Sequence, residues 1–281
     1  VGAGAVGGTL VDPVAGQTER PLAADADGSS SRLDFEAVGP ETGFDYTGVR
    51  WSSGTQSVMS DTGTYAADYD NDGWTDLLAV GGDEAVLFEN DAGTMRPSGA
   101  LPEMERHVRA ALFFDADNDG DQDLLVLSLG HPPLLLENDD GEFVAREDAF
   151  EGGLSVPIGA TAGDYDGDGC PDVFVIQNGD WTDRHPTGEG DYEVPDGEDN
   201  GNPNYLYRGD CSGNFENVST PAGLRGTRWT LATAMVDLTG DGRQDIYVAN
   251  DFNYDVLYVN EGDGTFSWQE MSNRTNRNGM S

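Results

Sequence analysis

Residues 68–80 read DYDNDGWTDLLAV: aspartates at positions 1, 3, 5 and 9 of a nine-residue loop, a glycine at position 6, then an apolar run. The string D-x-[DT]-x-D-G-x-x-D returns at Asp115–Asp123, Asp164–Asp172 and Asp237–Asp245, with starts 47, 49 and 73 residues apart. The flanks repeat as well. A short run with small residues precedes each loop (Thr64–Ala67, Ala110–Phe114, Ala160–Gly163, Ala232–Val236), and a β-rich run follows it (Leu77–Val80, Leu124–Leu127, Val173–Ile176, Ile246–Ala249). A third run comes next (Ala85–Asn90, Leu134–Asn138, Tyr205–Arg208, Val256–Asn260), then a Gly/Asp turn and a fourth run starting at Met95, Phe143, Phe215 or Phe266.

Each repeat therefore reads as four short strands joined by tight turns, with no run long enough for a typical helix. Four strands in every 40 to 50 or so residues is the sequence signature of propeller blades. The expected fold is all-β, a β-propeller of four-stranded blades at about 60–100, 107–150, 156–224 and 228–272. A sandwich and a solenoid are the alternatives. The first strand should be innermost, where crowding at the axis favours Ala and Gly. The third repeat carries an insertion, residues 178–203, between its second and third strands, and up-and-down connectivity puts it on the face opposite the aspartate loops. Residues 1–32, rich in Gly, Ala, Asp and Ser, read as a flexible segment or linker, and 33–281 as the propeller. Leu33–Tyr46 (LDFEAVGPETGFDY) matches Asn214–Leu224 (NFENVSTPAGL) and reads as a fourth strand without a blade of its own; Asn278–Ser281 reads as the start of another first strand. These ends lead us to expect an intact propeller of seven or eight blades.

The charge is lopsided: 53 Asp plus Glu against 14 Lys plus Arg, all of the latter Arg, for a net charge of -39. Such a surface repels nucleic acid and acidic membranes. Disorder is one reading of it, but the apolar residues fall in regular strands. Metal ligation is another, yet four loops cannot use 53 carboxylates. The third is adaptation to concentrated salt, where the Debye length falls to about 3 Å at 1 M and self-repulsion is screened. No apolar run reaches the roughly 20 residues that span a bilayer.

The loop chemistry points to calcium, a hard cation that takes six to eight oxygens. Side chains at positions 1, 3, 5 and 9 and the carbonyl at position 7 would supply them. The sets are Asp68, Asp70, Asp72, Trp74 and Asp76; Asp115, Asp117, Asp119, Asp121 and Asp123; Asp164, Asp166, Asp168, Cys170 and Asp172; Asp237, Thr239, Asp241, Arg243 and Asp245. An EF-hand starts the same way but needs Glu at position 12 and flanking helices. Position 12 here is Ala79, Val126, Val175 or Val248, each in a strand run. Magnesium keeps its waters and avoids crowded cages. About four Ca2+ ions are expected, the fourth site being weakest because Thr239 is neutral.

The four loops, the turn Asn260–Phe266 (NEGDGTF) and the strand Asp245–Asp251 (DIYVAND) resemble FG-GAP/VCBS repeats of the integrin-α type. FENVSTPAGL leans toward the ASPIC/UnbV, cartilage acidic protein-like, branch. The acid-rich, lysine-free surface resembles proteins of extreme halophiles. The resemblance covers about Leu33–Ser281 and departs from the pattern at Thr239 and at Met95, where Phe is usual. It implies a calcium-stiffened propeller, extracellular or cell-surface location, and a role in cell adhesion or in binding protein or glycan.

Cys170 and Cys211 fall in the one–two and three–four connections of one blade, on the same side, so a disulfide fits; two free thiols are the alternative. Arg208-Gly209-Asp210 spells an adhesive tripeptide but reads better as the repeat's own turn. Asn217 and Asn273 head glycosylation sequons. His107, His131 and His185 share no metal or nucleophile spacing, and no nucleophile elbow or phosphate loop occurs. The expectation is a non-enzymatic binding module whose protein or glycan partner meets the insertion, with Trp181 and Tyr192 in the lead. A calcium-dependent polysaccharide lyase or hydrolase and a self-associating surface-filament subunit are the competing readings.

Overall fold

The computed structural model describes residues 39–44, 62–81, 84–179, 185–186, 192–193, 201–251 and 254–271. Among the described residues the fold is all-β apart from one helical turn, α1 (Gly39–Thr42). Four antiparallel four-stranded sheets follow one another along the chain. The first holds β1 (Thr62–Ala67), β2 (Asp76–Gly81), β3 (Glu84–Asp91) and β4 (Thr94–Pro97). The second holds β5 (Val108–Phe114), β6 (Asp123–Ser128), β7 (Leu134–Asp139) and β8 (Glu142–Arg146). In the third, β9 (Pro157–Gly163) and β10 (Asp172–Gln177) precede a two-stranded hairpin, β11 (His185–Pro186) with β12 (Tyr192–Glu193), after which come β13 (Tyr205–Gly209) and β14 (Phe215–Asn217). The fourth holds β15 (Thr230–Val236), β16 (Asp245–Asn250), β17 (Asp255–Asn260) and β18 (Phe266–Met271).

These sheets are propeller blades. Their first strands pack in the series β1, β5, β9, β15, so the strands rich in Ala and Gly sit innermost, as expected. Three cores lie between consecutive blades. Leu78, Val80 and Leu87 of the first blade meet Leu124, Val126 and Leu136 of the second. Leu125, Leu127 and Leu135 meet Val173, Val175 and Tyr207. Phe174, Ile176 and Leu206 meet Ile246, Val248 and Tyr258. Alternate residues of β6 and β10 thus serve different interfaces, which is why both strands are buried along their whole length and read as unbroken apolar runs. The fourth-blade counterparts of Phe174, Ile176 and Leu206 are Tyr247, Ala249 and Leu257, and these are only half-buried.

The strands begin earlier than the sequence suggested, because the position-9 aspartate itself opens each second strand. The segment Leu33–Tyr46 is described in part. Its described part, Gly39–Phe44, opens with the helical turn α1 and aligns with the turn Ser219–Leu224 that follows β14; the part that aligns with β14 itself lies outside the described residues. The match to the blade 3–4 connection has a physical basis. Gly43 (φ 88) and Gly223 (φ 82) are both left-handed, and a Cβ on either would press on the carbonyl oxygen that opens a fourth-strand segment, Met95 or Phe266. Phe44 then packs on Phe88 with ring centroids 4.8 Å apart and planes tilted by 58°, while Leu224 joins the core between the third and fourth blades. In the later connections the Ala149 and Ala222 carbonyls accept the N–H groups of Phe215 and Phe266, which latches each blade to the next.

Candidate metal centres

Each aspartate loop joins the first and second strands of its blade, so all four lie on one rim. The backbone turns left-handed twice in every loop. Position 6 does so at Gly73 (φ 90), Gly120 (φ 101), Gly169 (φ 89) and Gly242 (φ 86). Position 4 does so at Asn71 (φ 57), Asn118 (φ 63), Gly167 (φ 77) and Gly240 (φ 80). Asn and Gly are the residues that tolerate this region. Position 4 is thus a functional position of the loop, and its restriction to Asn or Gly is the signal of it in the sequence.

These turns aim N–H groups at the carboxylates. The position-6 N–H donates to the position-1 aspartate in all four loops, for example Gly73 to Asp68 Oδ2 at 3.0 Å. The position-7 N–H donates to the position-5 aspartate, for example Trp74 to Asp72 at 2.7 Å. The position-9 aspartates are buried, Asp76 at 1% exposure and Asp123, Asp172 and Asp245 at 0%. One oxygen of each accepts the N–H of position 2: Tyr69 (3.0 Å), Ala116 (2.6 Å), Tyr165 (2.9 Å) or Leu238 (3.0 Å). The other accepts an N–H from the end of the third strand: Asn90 (2.8 Å), Asn138 (2.7 Å), Gly209 (3.0 Å) or Asn260 (3.0 Å).

Three loops gather carboxylates. Asp68, Asp70 and Asp76 offer oxygens within 4.8 Å of one another, and so do Asp115, Asp117 and Asp123, and Asp164, Asp166 and Asp172. Burial pushes Asp123 and Asp172 up to about 7, against the pull of their two N–H donors; Asp117 and Asp119, or Asp166 and Asp168, push the same way. Asp76, Asp117 and Asp166 are raised too, by burial first and neighbouring carboxylates second. Asp68 Oδ1 is buried with no hydrogen-bond partner. An all-oxygen, multiply anionic cage with an unpartnered acceptor fits a hard divalent cation. The position-5 residues Asp72, Asp119 and Asp168 stand outside these triads.

The fourth loop is built differently. Thr239 replaces a carboxylate, and both Leu238 and Thr239 donate N–H groups to Asp245 Oδ2 at 3.0 Å. Arg243 lays Nη2 on Asp241 at 2.5 Å and Nε on the Asn260 carbonyl at 3.0 Å. Asp237 is held below the usual carboxylate range, first by the Gly242 N–H. A resident guanidinium thus already offsets part of this loop's charge.

At position 7 the side chains diverge. Trp74 is 48% exposed, and Asp121 accepts from Asn71 Nδ2 at 2.7 Å and from the Asp140 N–H at 2.9 Å. Cys170 is disulfide-bonded to Cys211, with Cα atoms 4.9 Å apart, tying the third loop to the β13–β14 turn. Arg208, paired with Glu216, and the buried Gly209 close β13, and only Asp210 enters the turn, where it accepts the N–H groups of Ser212 and Asn214; the adhesive tripeptide is thus a strand end running into the repeat's turn. Asn217 closes β14 and accepts the Ser219 hydroxyl at 2.7 Å. Asn273 and Trp181 lie outside the described residues, and Tyr192 is described only as part of β12. The three histidines fall before β5, in the β6–β7 turn and in β11.

Four-stranded blades with acidic one–two loops on a common rim define a β-propeller protein with candidate metal sites. The chain belongs to the FG-GAP-like repeat family, whose sequence profile matches residues 68–126, 115–175, 194–248 and 237–281. No curated protein matches it in sequence. Among solved structures it is similar to an Agrocybe aegerita lectin that recognises non-reducing terminal N-acetylglucosamine (18% identity, TM-score 0.34), covering 76% of this chain and 67% of that one. The V. cholerae biofilm matrix protein Bap1 is similar at 15% identity and a TM-score of 0.40, with 74% of this chain and 28% of that chain covered. The Photorhabdus luminescens Tc holotoxin pore matches at 17% identity and a TM-score of 0.38, over 79% and 10% respectively.

Proposed function

We propose that this chain is a calcium-binding interaction module of the cell exterior, without catalysis of its own, that meets a protein or glycan partner on the rim opposite its aspartate loops. Calcium would be held by the side chains at positions 1, 3, 5 and 9 and the carbonyl at position 7, about four ions in all. Bound calcium supplies the positive charge that turns mutual repulsion of the loop carboxylates into cohesion. The observation that carries this reading is the set of three aspartate triads, with Asp68 Oδ1 buried and unpartnered in the first. The Cys170–Cys211 disulfide supports an oxidising compartment. Among the described residues no helix is long and apolar enough to cross a membrane. The net charge of -39 supports a salt-rich habitat, and FENVSTPAGL supports the ASPIC/UnbV branch.

The test has two arms. Protein stripped with chelator is titrated with CaCl2 by calorimetry, and its bound metal is measured by atomic emission; two or more ions per chain are expected, and none would end the calcium reading. Wild-type chain and a variant lacking 180–200 are then screened against glycan and surface-protein panels for binding and for cleaved products. Binding lost with the deletion supports the rim assignment, binding retained moves the site elsewhere, and product release overturns the non-catalytic reading.

A further inference from the structure

The four loops are not connected to one another alike. Asn138, at 0% exposure, stands in β7 of the second blade, with its backbone N–H, Oδ1 and Nδ2 all hydrogen-bonded. Its N–H donates to Asp123 Oδ1 of its own loop at 2.7 Å, and its Oδ1 accepts the Gly141 N–H at 2.9 Å. Its Nδ2 crosses the blade boundary to the Tyr69 carbonyl at 2.7 Å and also meets the Gln122 carbonyl at 3.1 Å. Tyr69 is position 2 of the first loop, and its own N–H holds Asp76. A buried path of hydrogen bonds therefore runs from the position-9 carboxylate of loop 1 to that of loop 2.

Asn260 repeats this between loops 3 and 4. It is 1% exposed, its N–H donates to Asp245 Oδ1 at 3.0 Å, and its Nδ2 reaches the Tyr165 carbonyl at 2.7 Å. The Tyr165 N–H in turn holds Asp172. The tyrosine rings follow the same scheme: Tyr69 packs on Phe143 at 5.7 Å and Tyr165 on Phe266 at 5.5 Å, each the first large residue of the next blade's fourth strand. Between loops 2 and 3 the scheme stops. The matching third-strand residue is Gly209, which has no side chain to cross the boundary, and position 2 of loop 2 is Ala116. A side chain could not be added there, since a Cβ on Gly209 would sit 2.2 Å from the Pro171 carbonyl oxygen. The exposed Asn71–Asp121 and Asn118–Gly169 hydrogen bonds occur at both kinds of boundary and do not distinguish them.

We propose that the loops take up metal as two coupled pairs, loops 1–2 and loops 3–4, with Asn138 and Asn260 as the positioning residues that carry the coupling. The proposal rests on the calcium reading above. A cation that orders loop 1 fixes the Tyr69 carbonyl, which fixes Asn138, which presents its N–H to Asp123; loop 2 then has less freedom left to lose when its own ion binds.

Trp74 is the only tryptophan within the four nine-residue loops, so terbium in place of calcium, excited through tryptophan, reports loop 1; Trp74→Phe defines the background. Loop 1 affinity is measured in the full chain, in Asp117→Asn (loop 2 impaired) and in Asp166→Asn (loop 3 impaired). Pairing predicts about a tenfold loss in Asp117→Asn and a change within about twofold in Asp166→Asn. Asn138→Gly, which copies the residue found in the third blade, should remove the response to Asp117→Asn. Equal shifts from the two aspartate variants, no shift from either, or a response undiminished in Asn138→Gly would overturn the pairing. If Asn138→Gly fails to fold, the two aspartate variants still decide. Terbium and calcium that do not bind at all end the calcium reading itself, whereas binding at loop 1 that ignores loop 2 ends only the pairing.

Discussion

Acid should stabilise the metal-free protein and destabilise the calcium-loaded one. Asp123 and Asp172 rise from 3.8 to about 7, burial being the first cause and the loop carboxylates the second. A carboxylate raised in the folded state favours folding below its unfolded pKa, and that advantage is lost as pH climbs through the folded value. The window for these two groups therefore runs from about pH 4 to about pH 7. Between about pH 5.5 and 8, linkage gives about 2 kcal/mol for each, or about 4 kcal/mol together. In a domain of this size 1 kcal/mol moves Tm by roughly 2–4 °C, so the chelated protein should melt about 8–16 °C higher at the acid end. Asp76, Asp117 and Asp166, raised as well, push in the same direction. Asp210, Asp237 and Asp263 are lowered, titrate below the window and leave the slope alone. Calcium binds only the ionised carboxylates, so with the ion in excess the slope should reverse. Calorimetric melts with EDTA and with CaCl2, at both pH values and at one fixed high salt concentration, read this out. Slopes of the same sign in the two series would refute the argument that calcium and protons compete for the position-9 aspartates.

Three further outcomes are expected. Cys170→Ser/Cys211→Ser opens a connection with a sequence separation of 41 residues and should cost about 4 kcal/mol by the chain-entropy relation, seen as a lower denaturation midpoint that matches wild type under reductant. Phe150→Ala empties a site between Phe215, stacked at 4.4 Å, and Tyr207, edge-on at 5.0 Å; a loss of about 3–5 kcal/mol in urea unfolding is expected, since the second and third blades share that core. Gly73→Ala meets no atom within 4 Å but must hold φ near 90°, at a cost of about 1–2 kcal/mol; the fold should survive while terbium emission through Trp74 shifts to about tenfold higher concentration.

The blade plan was legible because strand spacing and turn chemistry are local. Each Asp-Gly turn announces a hairpin, and the most uniform apolar runs after it, β6 and β10, are the ones buried on both faces. Which aspartates converge was less legible. Asp72, Asp119 and Asp168 share the odd-position pattern of the others, yet their carboxylates take the position-7 N–H groups and stay out of the triads. Nor does spacing reveal Asn138 and Asn260, since what matters is the carbonyl each meets in the preceding blade, 69 and 95 residues away along the chain. Arg243 was readable only as a carbonyl donor at position 7; its guanidinium on Asp241 is a property of the folded loop.

The two ends of the third blade are made rigid by different means, and this bears on where a partner can dock. At the aspartate rim, the disulfide and the N–H groups donated to Asp164, Asp168 and Asp172 hold a loop of like charges, which a bound cation would tighten further. At the other rim neutral amides hold the base of the insertion. Asn178 Nδ2 donates to the Thr230 carbonyl at 3.0 Å, Asn204 Nδ2 to Thr230 Oγ1 at 2.9 Å, and Asn202 Nδ2 to the Asn178 carbonyl at 2.6 Å. Gly179 is required there because a Cβ would lie 2.1 Å from the Trp229 ring. A network of neutral amides neither titrates nor releases an ion, so the base of the insertion should keep its geometry when calcium is withdrawn or the salt is changed. A partner that lost affinity in step with calcium removal would therefore have to touch the aspartate rim or the blade packing, and one indifferent to calcium would belong on the stem of residues 177–179 and 201–204.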